Sequence, residues 1–423
     1  MKYRKIEVGP YNLHIIKTDK FKTVTVRINF KRPLIKEEIT KRNLLVDVLA
    51  SSTNKFKTEK MMNIETEKLY GLSYGSSRIT SGKYSIMTFD MYFINDKYLP
   101  ESIFNKSINF MMDILFNQNA KDGKFDEKIF EINKDNLIDE IKSFEDNPRK
   151  YSLVRLYEIM GENNEFGYRG CGYLDDAINL TNEELYNYYQ NVLKSDIVDI
   201  FVLGDVDADE IKNIFKDNFK INTIKKKQGS HYIKHDNIRK RSRAKIEEKD
   251  INQSKLVIGC KLNNLSDYET NYVSNIYSFI LGGGPDSLLF QNLREKNSLC
   301  YYVSSNVQKV NNLLVIESGI DGKDYKKAIK IIKKEIKNMI LGNFSDDLLN
   351  NGIKTYLSAC KSIDDSPSGI INVYASKEYL NMDLLDKRQK EIIKVTREDV
   401  MELAKKVYLD TIYLLKAEES LDE

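Results

Sequence analysis

"LTNEELYNYYQNVLKSDIVDIFVLGD", Leu180 to Asp205, reads as a capped helix followed by a strand, and the chain contains a second version of it. Thr181 followed by Glu184 is a helix-start pattern. The Thr oxygen accepts an orphan backbone N–H, and an acid three residues on favours the positive end of the helix. "DIVDIFVLGD" then supplies the β-branched and aromatic run of a strand. The later copy, "VTREDVMELAKKVYLDTIYLLKAEE" from Val395, repeats the pattern with Thr396 and Asp399 in the capping positions.

Two more pairs recur in the same order. "SFEDNP" (Ser143 to Pro148) matches "SIDDSP" (Ser362 to Pro367), and "EKLYGLSYGSS" matches "REKNSLCYYVSS", aligning Leu72 with Leu299 and Tyr74 with Tyr301. Ordered self-similarity of this kind marks a duplicated unit. Each half reads as mixed α/β. "TVTVRINF" (Thr23 to Phe30) alternates with period two as a half-buried strand should, and "YSIMTFDMYF" is a further strand. "ESIFNKSINFMMDILF" and "DYKKAIKIIKKEIKNMIL" space their apolar residues for helices. The expected organisation is a first domain over 1–220, a polar and basic linker over 221–250, and a second domain over 251–423.

Composition narrows the class. In 423 residues, 41% hydrophobic and 30% charged content describes a soluble globular protein. The 66 Lys and Arg nearly cancel the 63 Asp and Glu, so no global charge argues for nucleic acid or an anionic membrane. The basic run between the halves, which includes Arg239, Lys240, Arg241 and Arg243, reads as a solvated linker. The N-terminus lacks the apolar core of a secretory signal. No run approaches the roughly 18 apolar residues of a membrane span. Cys171, Cys260, Cys300 and Cys360 are scattered without a C-x-x-C pair, which fits free thiols and a cytoplasmic setting.

Chemical motifs are scarce. Gly282-Gly283-Gly284 runs into Pro285, which removes a donor, and no Gly-Lys-Ser/Thr follows, so a phosphate loop is excluded. The glycines read as a turn into a helix starting near Asp286 or Ser287. His231 and His235 have the spacing of two helical zinc ligands, but they stand in the basic linker and read as solvated; His14 lies in a strand-like run. No nucleophile elbow is present, and Cys300, in an apolar run, reads as a buried thiol.

"GGGPDSLLFQNLREKNSLCYYVSS" resembles the second-half signature of the pitrilysin-like zinc peptidases, or inverzincins, in the short two-domain branch similar to the mitochondrial processing peptidase. "LT-x-E-x-L" and the strand ending in Gly204-Asp205 fit the first half of the same pattern. The resemblance implies an α+β fold of two tandem homologous α/β domains, each a mostly antiparallel sheet with helices packed on it. Active members carry H-x-x-E-H on an early helix, with two zinc-binding His and a general-base Glu. Here Asn43-Leu44-Leu45-Val46-Asp47 stands in that place. On the later helix, Glu140 remains but Asn133 falls at the third-ligand position.

The resemblance therefore implies that this chain binds no metal and is inactive alone. Arg294 and Tyr301 match the family's substrate-facing pair, whose N–H and O–H groups can hydrogen-bond a scissile carbonyl and its oxyanion. By the same resemblance, Gly282, Gly283, Gly284 and Tyr302 are expected to contact substrate. The implied role is the non-zinc subunit of a heterodimeric endopeptidase, partnered by a paralogue that holds zinc in H-x-x-E-H, with a peptide as substrate. The alternative is a catalytically inactive scaffold or peptide-binding module. Neither reading calls for nucleic acid or a membrane.

Overall fold

The computed structural model describes residues 1–162, 164–221 and 228–418. The first part of the chain forms β1 (Lys2–Val8), β2 (Tyr11–Lys17), β3 (Thr23–Pro33), β4 (Ser73–Ser81) and β5 (Tyr84–Ile94). A small hairpin of β6 (Ala120–Lys121) and β7 (Lys124–Phe125) and then β8 (Ile197–Gly204) follow. Later come β9 (Arg243–Lys249), β10 (Ser254–Leu262), β11 (Cys300–Gln308), β12 (Leu313–Ile320) and β13 (Val407–Ala417).

The helices of the first part are α1 (Ile39–Ser51), α2 (Glu59–Lys68), α3 (Phe104–Phe116), α4 (Glu127–Ser143) and α5 (Pro148–Gly161), then α6 (Leu174–Asn179), α7 (Asn182–Ser195) and α8 (Ala208–Asn218). Those of the second are α9 (Ser274–Gly282), α10 (Tyr325–Leu341), α11 (Asp346–Asp364), α12 (Pro367–Leu380), α13 (Leu385–Ile392) and α14 (Arg397–Ala404). No helix among the described residues is long and apolar enough to cross a membrane.

Two compact units result. One comprises Met1–Ser143 with Gly170–Ser230; the other comprises Phe144–Arg169 with the chain from His231 onward. In the first, the described strands form a sheet in the order β1-β2-β8-β3-β5-β4, antiparallel throughout except for β2 beside β8. In the second the order is β11-β12-β10-β13-β9, with only β13 and β9 parallel. The mixed, mostly antiparallel architecture with packed helices is therefore as expected.

Strand β3 shows what its alternation means. Val24, Val26, Ile28 and Phe30 enter the core beneath the helices, each worth about 1.5–3 kcal/mol when fully buried. The alternate residues Thr25, Asn29 and Lys31 are buried as well. Polar alternation here does not mark a solvated face. Asn29 and Lys31 find internal partners instead: Thr88 Oγ1 donates to Asn29 Oδ1 at 2.9 Å, and Lys31 Nζ donates to Asp199 Oδ2 at 3.0 Å. Asp199 also accepts from His14 Nε2 at 3.1 Å and from Asn12. Burial alone would raise the Asp199 carboxyl, but Lys31 and His14 hold it well below the ordinary range. His14 is thus a packed residue, wholly enclosed.

Both predicted helix starts exist. Thr181 and Glu184 form a reciprocal capping box, as do Thr396 and Asp399. Each device satisfies backbone donors that the helix leaves open.

The segment Phe144–Arg169 departs from a division at a single linker. Helix α5 places Leu156 and Met160 against Val257, Val315, Tyr413 and Leu415 of the second sheet. Gly259, in the middle of β10, makes room for it. A Cβ there would come within 2.1 Å of Met160 Sδ.

The basic stretch is also less exposed than its composition implies. His231 is fully buried, and His235 retains only 7% exposure while its Nε2 donates to Asn311 O at 2.8 Å. His231 stacks on Tyr379. The reading of both histidines as solvated is corrected: apolar neighbours such as Ile233 draw this segment into the fold. Arg239 and Arg243 pair with Glu162, and Arg243 opens β9, which extends the sheet. Residues 222–227 of the expected linker lie outside the described residues.

Candidate functional site

Helix α1 carries Asn43, Val46 and Asp47 at the positions where a zinc helix would present His, Glu and His. Asn43 is buried, and its Nδ2 donates to Gly170 O at 2.8 Å. Val46 is fully buried in the core and offers no donor or base. Asp47 accepts from Arg78 NH1 at 3.1 Å, while Arg78 NH2 pairs with Glu140 of α4. Burial pushes the Asp47 carboxyl up, against the pull of the Arg78 guanidinium. Asn133 donates to Ile129 O at 2.8 Å and accepts from Ser51 Oγ at 3.2 Å.

The donor set left here is two carboxylates already bridged by a guanidinium. Among the described residues no group of three or more His, Cys, Asp or Glu could hold a metal ion. Hydrolytic zinc needs three protein ligands and an open position, which these side chains do not supply. Arg78 was not singled out from the sequence. It stands on β4 in "SYGSSRITS", and its role depends on partners from two helices distant in the chain. A pocket of about 530 Å³ beside it is lined by Asn43, Ser76, Ser77, Arg78, Glu140 and Cys171 among others.

The second unit holds the other candidate residues. Arg294 belongs to a π-helical turn, Phe290–Glu295, in which Lys296 N–H reaches back to Gln291 O at 3.0 Å. The guanidinium lies 5.0 Å over the Phe290 ring and makes no ion pair among the described residues. Tyr301 sits at a β-bulge. Cys300 pairs with Ile320 and Tyr302 with Gly319, so Tyr301 is the extra residue in β11. Its side chain is 77% exposed. An extra residue in a helix or strand re-aims the side chains around it, and such irregularities gather at functional sites. Arg294 and Tyr301 line one pocket of about 610 Å³ together with Glu295, Ser298, Asp321 and Asp324. Cys300 is buried on the core side, and burial raises its thiol pKa.

The glycines and Tyr302 lie elsewhere. Gly282 is the last residue of α9, and a Cβ on it would approach Ser305 N to 2.7 Å. That glycine lets α9 press against the backbone of β11. Gly283 is confined by Phe279, whereas Gly284 has open space where a Cβ would stand. The following helical turn starts at Leu288, just past the expected Ser287. None of the three glycines lines the Arg294 pocket. Tyr302 does not line it either, since its ring lies between Arg149, at 4.9 Å, and Lys255, at 5.7 Å. Only Arg294 and Tyr301 of the expected substrate set are brought together.

Comparison with known proteins fits this geometry. Residues 179–356 match the family described as "Peptidase M16 inactive domain". The chain is 28% identical to the "Probable inactive metalloprotease YmfF" of Bacillus subtilis (strain 168), over 98% of both chains. It superposes on the crystal structure of a conserved protein from Enterococcus faecalis V583 with a TM-score of 0.92, at 27% identity, covering 99% of this chain and 100% of that one. The fold is shared with a peptidase M16 inactive domain from Pseudomonas fluorescens, at a TM-score of 0.79 and 12% identity over the full length of both. The chain is thus similar to a peptidase M16 domain described as inactive over residues 179–356, and to a probable inactive metalloprotease from end to end.

Proposed function

We propose that this chain is a metal-free, peptidase-like module that binds extended peptide without cleaving it. The observation that carries this reading is the state of the α1 site, where Asn43, Val46 and Asp47 are committed to internal contacts and Arg78 bridges Asp47 and Glu140. A positive group fixed between the remaining carboxylates is incompatible with a hydrolytic zinc ion at the same place. The exposed Arg294 and Tyr301 supply donors for a peptide carbonyl. An immobilised chain offered a library of unstructured peptides should retain a subset intact. Turnover by the isolated chain would overturn the reading.

A second reading is favoured by one specific feature. The side chains of Arg294 and Tyr301 make no ion pair or hydrogen bond among the described residues, and Tyr301 is held outward by a bulge. In this reading they act in trans, at the zinc site of an H-x-x-E-H paralogue that binds the same peptide. Reconstitution with such a paralogue tests it. Loss of one oxyanion donor costs on the order of 10²–10³ in rate, so Arg294→Ala and Tyr301→Phe should slow kcat strongly. An unchanged kcat in both variants would remove the catalytic role and leave the binding role.

A further inference from the structure

Helix α10 has an unusual distribution of charge. Lys326, Lys327, Lys330, Lys333, Lys334 and Lys337 are all exposed, and none makes an ion pair among the described residues. The one acid on the helix, Glu335, is 1% exposed and bonds to Asn338. Some exposed lysines on other helices find a carboxylate three or four residues away, as in Lys68–Glu65, Lys387–Asp383, Lys394–Glu391 and Lys405–Glu402. On α10 the i,i+4 positions instead repeat the same sign, at 326 and 330, 330 and 334, and 333 and 337, which is unfavourable for an isolated helix. Six lysines against one buried acid concentrate more positive charge here than the +3 of the whole chain.

The location of the stripe gives it meaning. The turn Gly322–Asp324 runs directly into α10, and its Lys323 and Asp324 line the Arg294–Tyr301 pocket. The lysine row therefore starts at the rim of that pocket. We infer that α10 is a docking surface for an acidic polypeptide segment, flanking the part of the peptide that enters the Arg294–Tyr301 pocket. This rests on the reading of the chain as a peptide-binding module.

Spacing supports the match. Four residues of helix advance about 6 Å, and same-side residues of an extended chain are spaced roughly 6.7 Å apart, so long lysine side chains reach successive acids. The pocket rim itself carries Glu295 and Asp324, which assigns the acidic residues of the ligand to the flank and not to the pocket. Nucleic acid is disfavoured because the stripe lacks the arginines and exposed aromatic rings on which bases stack. A membrane surface is disfavoured because Ala328, Ile332 and Met339 are buried in the core, and Leu341 at the helix end is too little apolar surface to insert.

The test titrates fluorescent poly-L-glutamate onto the full chain and onto a variant with Lys326→Gln, Lys330→Gln, Lys333→Gln and Lys337→Gln. The expected result is salt-sensitive binding that the variant weakens about tenfold or more, with an unchanged melting profile. Two double variants, 326/330 and 333/337, should each lose part of that affinity and replace the quadruple variant if it folds poorly. Equal affinity in the variants overturns the inference. Tighter lysine-dependent binding of poly-dT or of phosphatidylserine vesicles overturns it too. Neutral extended peptides, run alongside, separate the two claims. If they bind while the lysines make no difference to poly-glutamate, the docking surface fails and the peptide-binding reading stands. If neither neutral nor acidic peptides bind, both fail.

Discussion

Arg78 donates a hydrogen bond to Asp47 at 3.1 Å, from a β-strand to the helix that would carry the metal ligands of an active relative. The same guanidinium holds Glu140. A fixed positive side chain thus takes up the charge of the two carboxylates left at this place.

Arg78→Met should leave Asp47 and Glu140 without their counter-charge. Both acids remain partly exposed, so solvent screening limits the cost to about 1 kcal/mol or less near neutral pH. The sign with pH follows from Asp47. Its folded-state pKa is already raised by burial, so its protonated form is the one the fold favours, and the stability linked to it is fully present below the ordinary carboxyl pKa and lost as pH rises through the folded value. Removing Arg78 enlarges that loss. The variant should melt below the parent at about pH 7 and converge with it in acid, where Asp47 is protonated in both the folded and the unfolded chain. Melting curves across this range check it.

Asp196 is a harder test of stability. It is buried and accepts from Arg32 Nε and from Arg42 NH2, each at 2.7 Å, with Arg42 itself 1% exposed. Asp196→Ala takes the carboxylate partner from buried Arg42 and leaves Arg32 with Glu38 alone, and should cost about 3–5 kcal/mol. Urea unfolding would show it as a fall in midpoint.

Gly259 and Met160 should be coupled. Gly259→Ala drives a methyl into Met160 Sδ and should cost about 1–3 kcal/mol by overpacking. Met160→Ala alone opens a cavity and should cost about 2–5 kcal/mol. The double variant should be clearly more stable than the sum of the two losses requires. Strict additivity in a denaturation cycle would show that α5 does not press on β10 at this point.

His235 gives the fold an acid-sensitive element. Burial lowers its pKa, so the folded chain holds it neutral while the unfolded chain takes up a proton. Stability should rise with pH between the lowered folded value and the ordinary histidine pKa of about 6.5, and fall in acid. His235→Gln keeps a donor for Asn311 O without the titration. Its melting temperature should drop less than the parent's between about pH 7 and pH 5.

What could be read from the sequence was local or repeated. The capping pairs Thr181–Glu184 and Thr396–Asp399 span three residues, so their chemistry is visible without the fold. The missing ligands at Asn43, Val46 and Asp47 were visible by comparison with a motif of fixed spacing. Arg78 was not, because its partners lie 31 and 62 residues away. Nor was the burial of His231 and His235, where composition pointed to solvent and packing decided otherwise. Tyr301 and Tyr302 are adjacent and chemically alike, and only the bulge that turns one outward separates their surroundings. Strand β3 makes the same point: alternation indicates a strand but does not tell which face meets water.

The central claim is that the chain binds peptide and does not hydrolyse it. The most direct measurement incubates the full-length protein with an unstructured peptide library in excess zinc and reads bound and free peptides by mass spectrometry. The account predicts a retained subset, intact, that Arg294→Ala and Tyr301→Phe deplete while leaving stability within about 0.5 kcal/mol. Peptide cleavage by the isolated chain that a zinc chelator abolishes would contradict it.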